Sequence, residues 1–226
     1  MNKTVLFQAL VGSRAHGLND PDSDYDYRGV FIVPTVEILR LGANPKTTSW
    51  IEGDVDDTQW ELGHFLHLAT KCNPTILEAF VSPIKETTET GDALRALLPL
   101  VWNSRGVHDA FRGYSTNQRK KFLEDKDGRA WKYAVAYIRT LWMGTFLLEQ
   151  GVLPINIQAY NQDMHKTLLK IRHAGMSKGD VVDIATAWED RITSAYEKHP
   201  NKETDIEAVN DFLIETRWRY WKASEV

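Results

Sequence analysis

A Gly-Ser pair, Gly12-Ser13, closes an apolar run over residues 5–11, and about ten residues later Ser23-Asp24-Tyr25-Asp26 leads into a second apolar run over residues 30–33. Alternate side chains of an extended strand share a face. Asp24 and Asp26 therefore point one way, and Tyr25 and Tyr27 the other. Two carboxylates held side by side repel each other unless a cation lies between them. Oxygen ligands at this spacing suit magnesium or manganese, which in turn hold substrate phosphates. Gly12 permits close backbone approach. Ser13 suits the N-cap of a short helical turn over Arg14 to His16 that Gly17 stops. Such a turn offers free N–H groups to an anion. The expected site is a strand-borne metal pair beside a phosphate-binding turn.

Other chemistries fit less well. Asn19-Asp20-Pro21-Asp22 has turn composition. The spaced aspartates mimic a calcium loop, but Tyr25 stands where that loop needs glycine and Phe31 where it needs glutamate. The glycines match neither a dinucleotide fingerprint nor a Gly-Lys-Ser/Thr phosphate loop. His64 and His67 share a helical face but lack the Glu of a metalloprotease helix and any nearby cysteine, and read as helix residues. Trp131, Trp142 and Trp188 lie on apolar stripes and read as core. Arg217, Arg219 and Lys222, set among Trp218, Tyr220 and Trp221, suit a surface patch and a packing helix equally. His16 lies inside the turn, within reach of a phosphate or substrate.

The elements that must position these residues run strands first, helices afterwards. Period-two runs predict strands over 5–11, 25–33, 47–51 and 55–60, with Gly53-Asp54 as a hairpin turn between the last two. Helical spacing follows over 61–72, where Glu61 offsets the helix dipole. Asn73-Pro74 breaks it, and further helices are expected over 75–81, 94–101, 109–123, 129–150, 164–172, 178–197 and 206–221. The fold class is α+β, a small mixed β-sheet domain at 1–85 followed by a helical domain at 86–226, divided in the polar stretch 82–89.

The chain has 226 residues, 42% of them apolar and 11% aromatic, enough for a substantial core. No apolar run reaches membrane-span length, the first residues lack a signal-peptide pattern, and Cys72 is the single cysteine, so a cytoplasmic protein without membrane partners is expected. Cys72 reads as a helix-end packing residue. The net charge of −4 hides an asymmetry: residues 1–62 carry ten acids and five bases, while residues 112–142 carry eight bases and three acids. An acidic metal-binding half beside a basic helical half suits a polyphosphate substrate. Ordinary solvated charge explains Lys120 and Lys126 better.

Gly12-Ser13, the spacer and Ser23-Asp24-Tyr25-Asp26 resemble the nucleotidyltransferase superfamily of DNA polymerase beta. More narrowly, the chain resembles the predicted nucleotidyltransferases associated with RNA repair in bacteria and large phages. The likeness continues through Arg28-Gly29-Val30, Asn73-Pro74-Thr75-Ile76-Leu77-Glu78, Phe111-Arg112-Gly113-Tyr114 with Gln118 and Lys121, Lys132 with Arg139, and Ile171-Arg172. It implies a third carboxylate on a neighbouring strand. Aligning Trp60-Glu61 with the family's aromatic-acid pair gives Asp56, with Asp57 as the alternative on the opposite face. The implied reaction moves a nucleoside monophosphate from an NTP to a hydroxyl, with Asp24, Asp26 and Asp56 holding two magnesium or manganese ions. Gly12, Ser13, Arg14, Arg28, Lys132 and Arg139 would contact the substrate. Arg28 is favoured as the leaving-group cation because it shares the aspartate face. The implied acceptor is an RNA or tRNA 3′ end. A protein hydroxyl, a small molecule such as an aminoglycoside, or a non-catalytic nucleotide- or RNA-binding role are the alternatives. The sequence does not define an oligomeric state.

Overall fold

The computed structural model describes residues 3–42, 47–52 and 55–222, so the expected turn at Gly53-Asp54 lies outside the described residues. Strand β1 (Thr4–Val11) runs directly into a one-turn helix, α1 (Gly12–His16), and a loop returns the chain as β2 (Tyr25–Ile32). After a short α2 (Thr35–Ile38), β3 (Thr47–Glu52) and β4 (Val55–Glu61) form an antiparallel pair. β5 (Ile84–Thr87) completes a five-stranded sheet in the order β3-β4-β2-β1-β5. β1 is antiparallel to both β2 and β5, whereas β2 and β4 are parallel, so the sheet is mixed as expected. The crossover through α2 and β3 is what brings β4 alongside β2, with Asp56 opposite Asp26.

Paired residues of adjacent strands point to the same side. One face of the sheet therefore carries Phe7, Val30 and Trp60, then Ala9, Arg28 and Thr58, then Val11, Asp26 and Asp56. Its apolar end packs under α3 (Leu62–Thr70) and α4 (Pro74–Val81): Phe65 stands edge-on to Phe7 at 5.9 Å and 5.0 Å from Phe80. The polar end of the same face is left for the site. Glu61 caps α3 by accepting from the Gly63 N–H, the role its charge suggested, and also takes the Arg217 guanidinium at 2.7 Å. Arg217 thereby packs the last helix rather than forming a surface patch.

The helical part comprises α5 (Glu89–Ala96), α6 (Leu98–Val101), α7 (Ser104–Leu123), α8 (Ala130–Gln150), α9 (Ile157–Tyr160), α10 (Gln162–Arg172), α11 (Lys178–Lys198) and α12 (Ile206–Arg219). The single helix expected over 94–101 is split at Leu97, and Pro99 opens the second piece, where its missing N–H costs nothing. α8 is the central helix, with α7, α10 and α11 against it. Gly144 allows that packing: a Cβ there would come within 2.7 Å of the Phe111 ring and 2.9 Å of Ile192. The core is continuous from Leu6 and Phe7 through Phe65 and Phe111 to Trp142 and Ile192. Trp131 and Trp188 pack against it, as their stripes predicted. Cys72 is buried just beyond the end of α3. Among the described residues no helix is long and apolar enough to cross a membrane.

Candidate active site

The site is built where β1 ends. Val11 pairs with Asp26, so Gly12 emerges directly against the Asp26 carboxylate. Gly12 has φ +71°, and a Cβ on it would overlap that carboxylate. Only glycine satisfies both constraints. Ser13 does not cap α1: Val11 takes the N-cap position without a side-chain bond, because the chain turns straight out of the strand. Gly17 ends the turn in the left-handed region, as its type suggested. Gly12→Ala should displace Asp26 and lower the activity of this site about 100-fold, the scale set by ångström-size misplacement of reacting groups. Steady-state kinetics on a variant that still folds by circular dichroism would test this, and near-wild-type activity would refute it.

Asp24 and Asp26 line one cavity of about 530 Å³ together with Gly12, Ser13, Lys132 and Arg139. A neighbouring cavity of about 270 Å³ shares Asp26, Lys132 and Arg139 and adds Arg28, Asp56 and Glu78. Burial pushes the Asp26 carboxyl above the usual range; Arg28 and Lys132 oppose this, while Asp56 and Asp24 add to it. Asp56 shares the Asp26 face and pairs with Arg28 at 3.1 Å. Asp57 lies on the other face, where Oδ2 accepts from the Gln8 amide at 2.8 Å and the Gln59 amide at 2.9 Å.

The cations divide into two groups. Arg28 is committed to Asp56 and to the Tyr27 and Asp56 carbonyls, so it secures the third carboxylate instead of reaching into the larger cavity. Arg14 donates to the Ser23 carbonyl at 2.6 Å and lies over the Tyr25 ring at 3.9 Å, so it braces the aspartate loop from outside the cavity. Lys132 is exposed and lines both cavities, without an ion pair among the described residues. Arg139 also lines both, and its contacts to Glu78 (2.5 Å), His16 (2.8 Å) and Met143 (3.2 Å) all use Nη1. The rest of its guanidinium is thus left to the cavity. Burial lowers the His16 pKa, so the imidazole is neutral beside Arg139.

Two elements of the site come from the helical part and carried only weak sequence signals. Arg172 on α10 donates to Asp20 at 2.7 Å and to Ser23 Oγ at 3.2 Å, and His165 contacts the Gly17 carbonyl at 2.7 Å. α10 therefore clamps the loop that presents the aspartates. Arg172→Met should lower kcat/KM about tenfold yet change stability by less than about 1 kcal/mol, since the pair is partly exposed. Kinetics alongside thermal melting would separate the two effects, and an equal loss of stability would contradict the clamp. On α7, Tyr114, Gln118 and Lys121 line the cavity at helical spacing.

Among the described residues no three carboxylate, histidine or cysteine side chains already converge on a metal position. The donor set nevertheless fits a hard divalent cation. It consists of carboxylate oxygens, and one of them, Asp26, is a half-buried acid whose charge burial disfavours and a cation would favour.

Residues 1–215 match the family model described as RlaP, RNA repair pathway DNA polymerase beta family. The chain belongs to this family. The match bears out the resemblance carried by Gly12-Ser13 and Asp24-Tyr25-Asp26. Among curated relatives, a 38.9 kDa protein from the nrdC-mobD intergenic region of Enterobacteria phage T4 is 25% identical over 169 residues, covering 71% of this chain and 48% of the phage protein. The chain thus spans about half the length of that relative. The Bacillus subtilis protein YcgL is 23% identical over 96% of this chain and 91% of its own length. A nucleotidyltransferase-like protein from Exiguobacterium sibiricum aligns with TM-score 0.33 and 10% identity, covering 95% of this chain and 74% of that one.

Proposed function

We propose that this member of the RNA repair polymerase beta family transfers a nucleoside monophosphate from an NTP to the 3′ hydroxyl of an RNA or tRNA. The observation that carries the reading is the register: Asp26 and Asp56 are paired across β2 and β4, on the face where Gly12 abuts Asp26. Asp24, Asp26 and Asp56 would hold magnesium or manganese, which when bound supplies Lewis acidity to the attacking hydroxyl and the departing pyrophosphate. Around them, the Gly12-Ser13 turn and Lys132 receive the phosphates. Arg139, anchored through Nη1, turns its remaining donors to the same anion. Arg28 holds Asp56 until substrate arrives and shields the two facing carboxylates from each other. Asp56 is the group from which a proton acceptor for the hydroxyl would come. The basic excess of residues 112–142, Lys120 and Lys126 aside, supplies the attraction for an RNA backbone, whose binding should weaken steeply with salt.

An extension assay with a labelled RNA 3′ end, each of the four NTPs and magnesium or manganese tests the reading, with the Asp24→Ala, Asp26→Ala double variant as control. Extension by the wild type that vanishes in the double variant is the expected result. Metal-dependent NTP binding without extension would move the acceptor to a protein or small-molecule hydroxyl. Loss of NTP binding as well would overturn the enzyme reading.

A further inference from the structure

The larger cavity has more in its wall than a triphosphate needs. Lys132 and Arg139 are cations suited to phosphate oxygens. Gln118 is different. It lines the same cavity and is only 7% exposed, and its side-chain amide makes no hydrogen bond among the described residues but is not shut off from solvent, so it opens onto the cavity. An amide on a cavity wall with no protein partner is free to bond water or a ligand there. A neutral amide neutralises no phosphate charge. It does carry an N–H donor beside a carbonyl acceptor, the pattern that pairs bidentately with a base edge.

The neighbours of Gln118 suit a base. Tyr114, Gln118 and Lys121 follow one another along α7 over about 10 Å, given 1.5 Å of rise per residue. Lys121 lies over the Tyr133 ring of α8 at 5.3 Å, while Tyr114 feels the charges of Arg139 and Glu78. Gln118 thus sits between an aromatic-cation pair, which offers a stacking face, and the anchored cation of the catalytic end. Ala136 of α8, also on the cavity wall, occupies little of the space.

We propose that Gln118 is the residue that reads the nucleobase edge of the bound nucleotide, in a subsite between α7 and α8 with Tyr133 as stacking wall. The inference rests on the nucleotidyltransferase reading above and extends it to base selection. The amide sets the base preference, and the cations with the aspartates set affinity for the triphosphate.

Calorimetric titration of the full chain in magnesium, with ATP, GTP, CTP, UTP and inorganic tripolyphosphate, tests this. The wild type should prefer one base by at least about tenfold, the scale of a good bidentate pair. Gln118→Met should bring the four NTPs within about threefold of each other and leave tripolyphosphate binding unchanged. Gln118→Glu, which only accepts, should shift the ranking towards the bases bearing an amino donor, adenine, cytosine and guanine, and away from uracil. A ranking preserved in both variants, equal binding of all four bases by the wild type, or loss of tripolyphosphate binding with Gln118→Met would each overturn the assignment. Failure of the wild type to bind any NTP or tripolyphosphate would instead remove the nucleotidyltransferase reading on which it rests.

Discussion

Asparagine at position 26 will reduce nucleotidyl transfer by more than about 100-fold and leave the melting temperature unchanged or higher. The activity term follows from the position of the side chain. Disturbing even an outer partner of a metal ligand commonly costs 10–100-fold, and Asp26 would be a ligand itself, against the Gly12 turn and opposite Asp56. The stability term has the opposite sign because burial already works against the Asp26 charge, and Asp24 and Asp56 add repulsion. An isosteric amide removes that cost without opening a cavity. Magnesium should raise the melting temperature of the wild type, through binding to the folded chain alone, and should leave the Asp26→Asn variant where it was. Parallel melts with and without magnesium, plus the extension assay, provide the check. Retained activity within tenfold of wild type would sink the assignment of Asp26 as a ligand.

Much of this site could be read from local pattern. β1 and β2 follow from period-two apolar runs, and the stop at Gly17 from residue type. The stop of α8 follows from the residue type of Gly151, which takes the left-handed region, and α11 starts at 178, where helical spacing put it, with a Ser177–Asp180 capping box that the spacing did not reveal. Alternation alone set Asp56 and Asp57 on opposite faces. What escaped was either short or non-local. β5 is four residues of largely exposed polar side chain at the sheet edge, so it carries no apolar period and read as linker. α2 and α9 are single turns. α7 begins at Ser104 rather than 109, because the Asn103 side chain caps it by accepting from the Gly106 N–H. The partner of Arg28 was likewise invisible. Alternation puts it on the aspartate face, but only the parallel pairing of β2 with β4 brings it to Asp56. Arg139 meets Glu78 and His16 across 61 and 123 residues of chain, a distance over which no sequence period speaks.

That last cluster carries the second large effect. Glu78→Ala should destabilise the chain by about 3–5 kcal/mol, the usual consequence of leaving a buried partner unpaired, and lower its melting temperature by roughly 10 °C for a chain of this size. Glu78 is buried, and Arg139 is nearly so, with 11% of its side chain exposed. Burial is the largest single influence on Glu78 and opposes its ionisation, but the Arg139 guanidinium and the contacts to His16 together outweigh it and draw the pKa from 4.5 down to about 2. Because the folded value lies below the unfolded one, this stabilisation is whole above about pH 4.5 and is lost as pH falls towards 2. His16 acts in the same direction. Burial lowers its pKa below 6.5, so on acidification the unfolded chain takes up that proton first. Stability should therefore begin to decline below about pH 6.5 and fall faster below 4.5. Glu78→Gln keeps the shape and removes the charge, so it should flatten the Glu78 segment and, because that charge supports the His16 proton, extend the His16 segment to lower pH from the same onset. Melting temperatures of both proteins from pH 7 to pH 3 would resolve the two. Identical slopes below pH 4.5 would mean that Glu78 is not the charge holding Arg139. Activity gives an independent reading of the same contact: once Nη1 has lost its anchor, Arg139 can swing out of the cavity, and transfer by Glu78→Gln at pH 7 should fall even where the fold is intact.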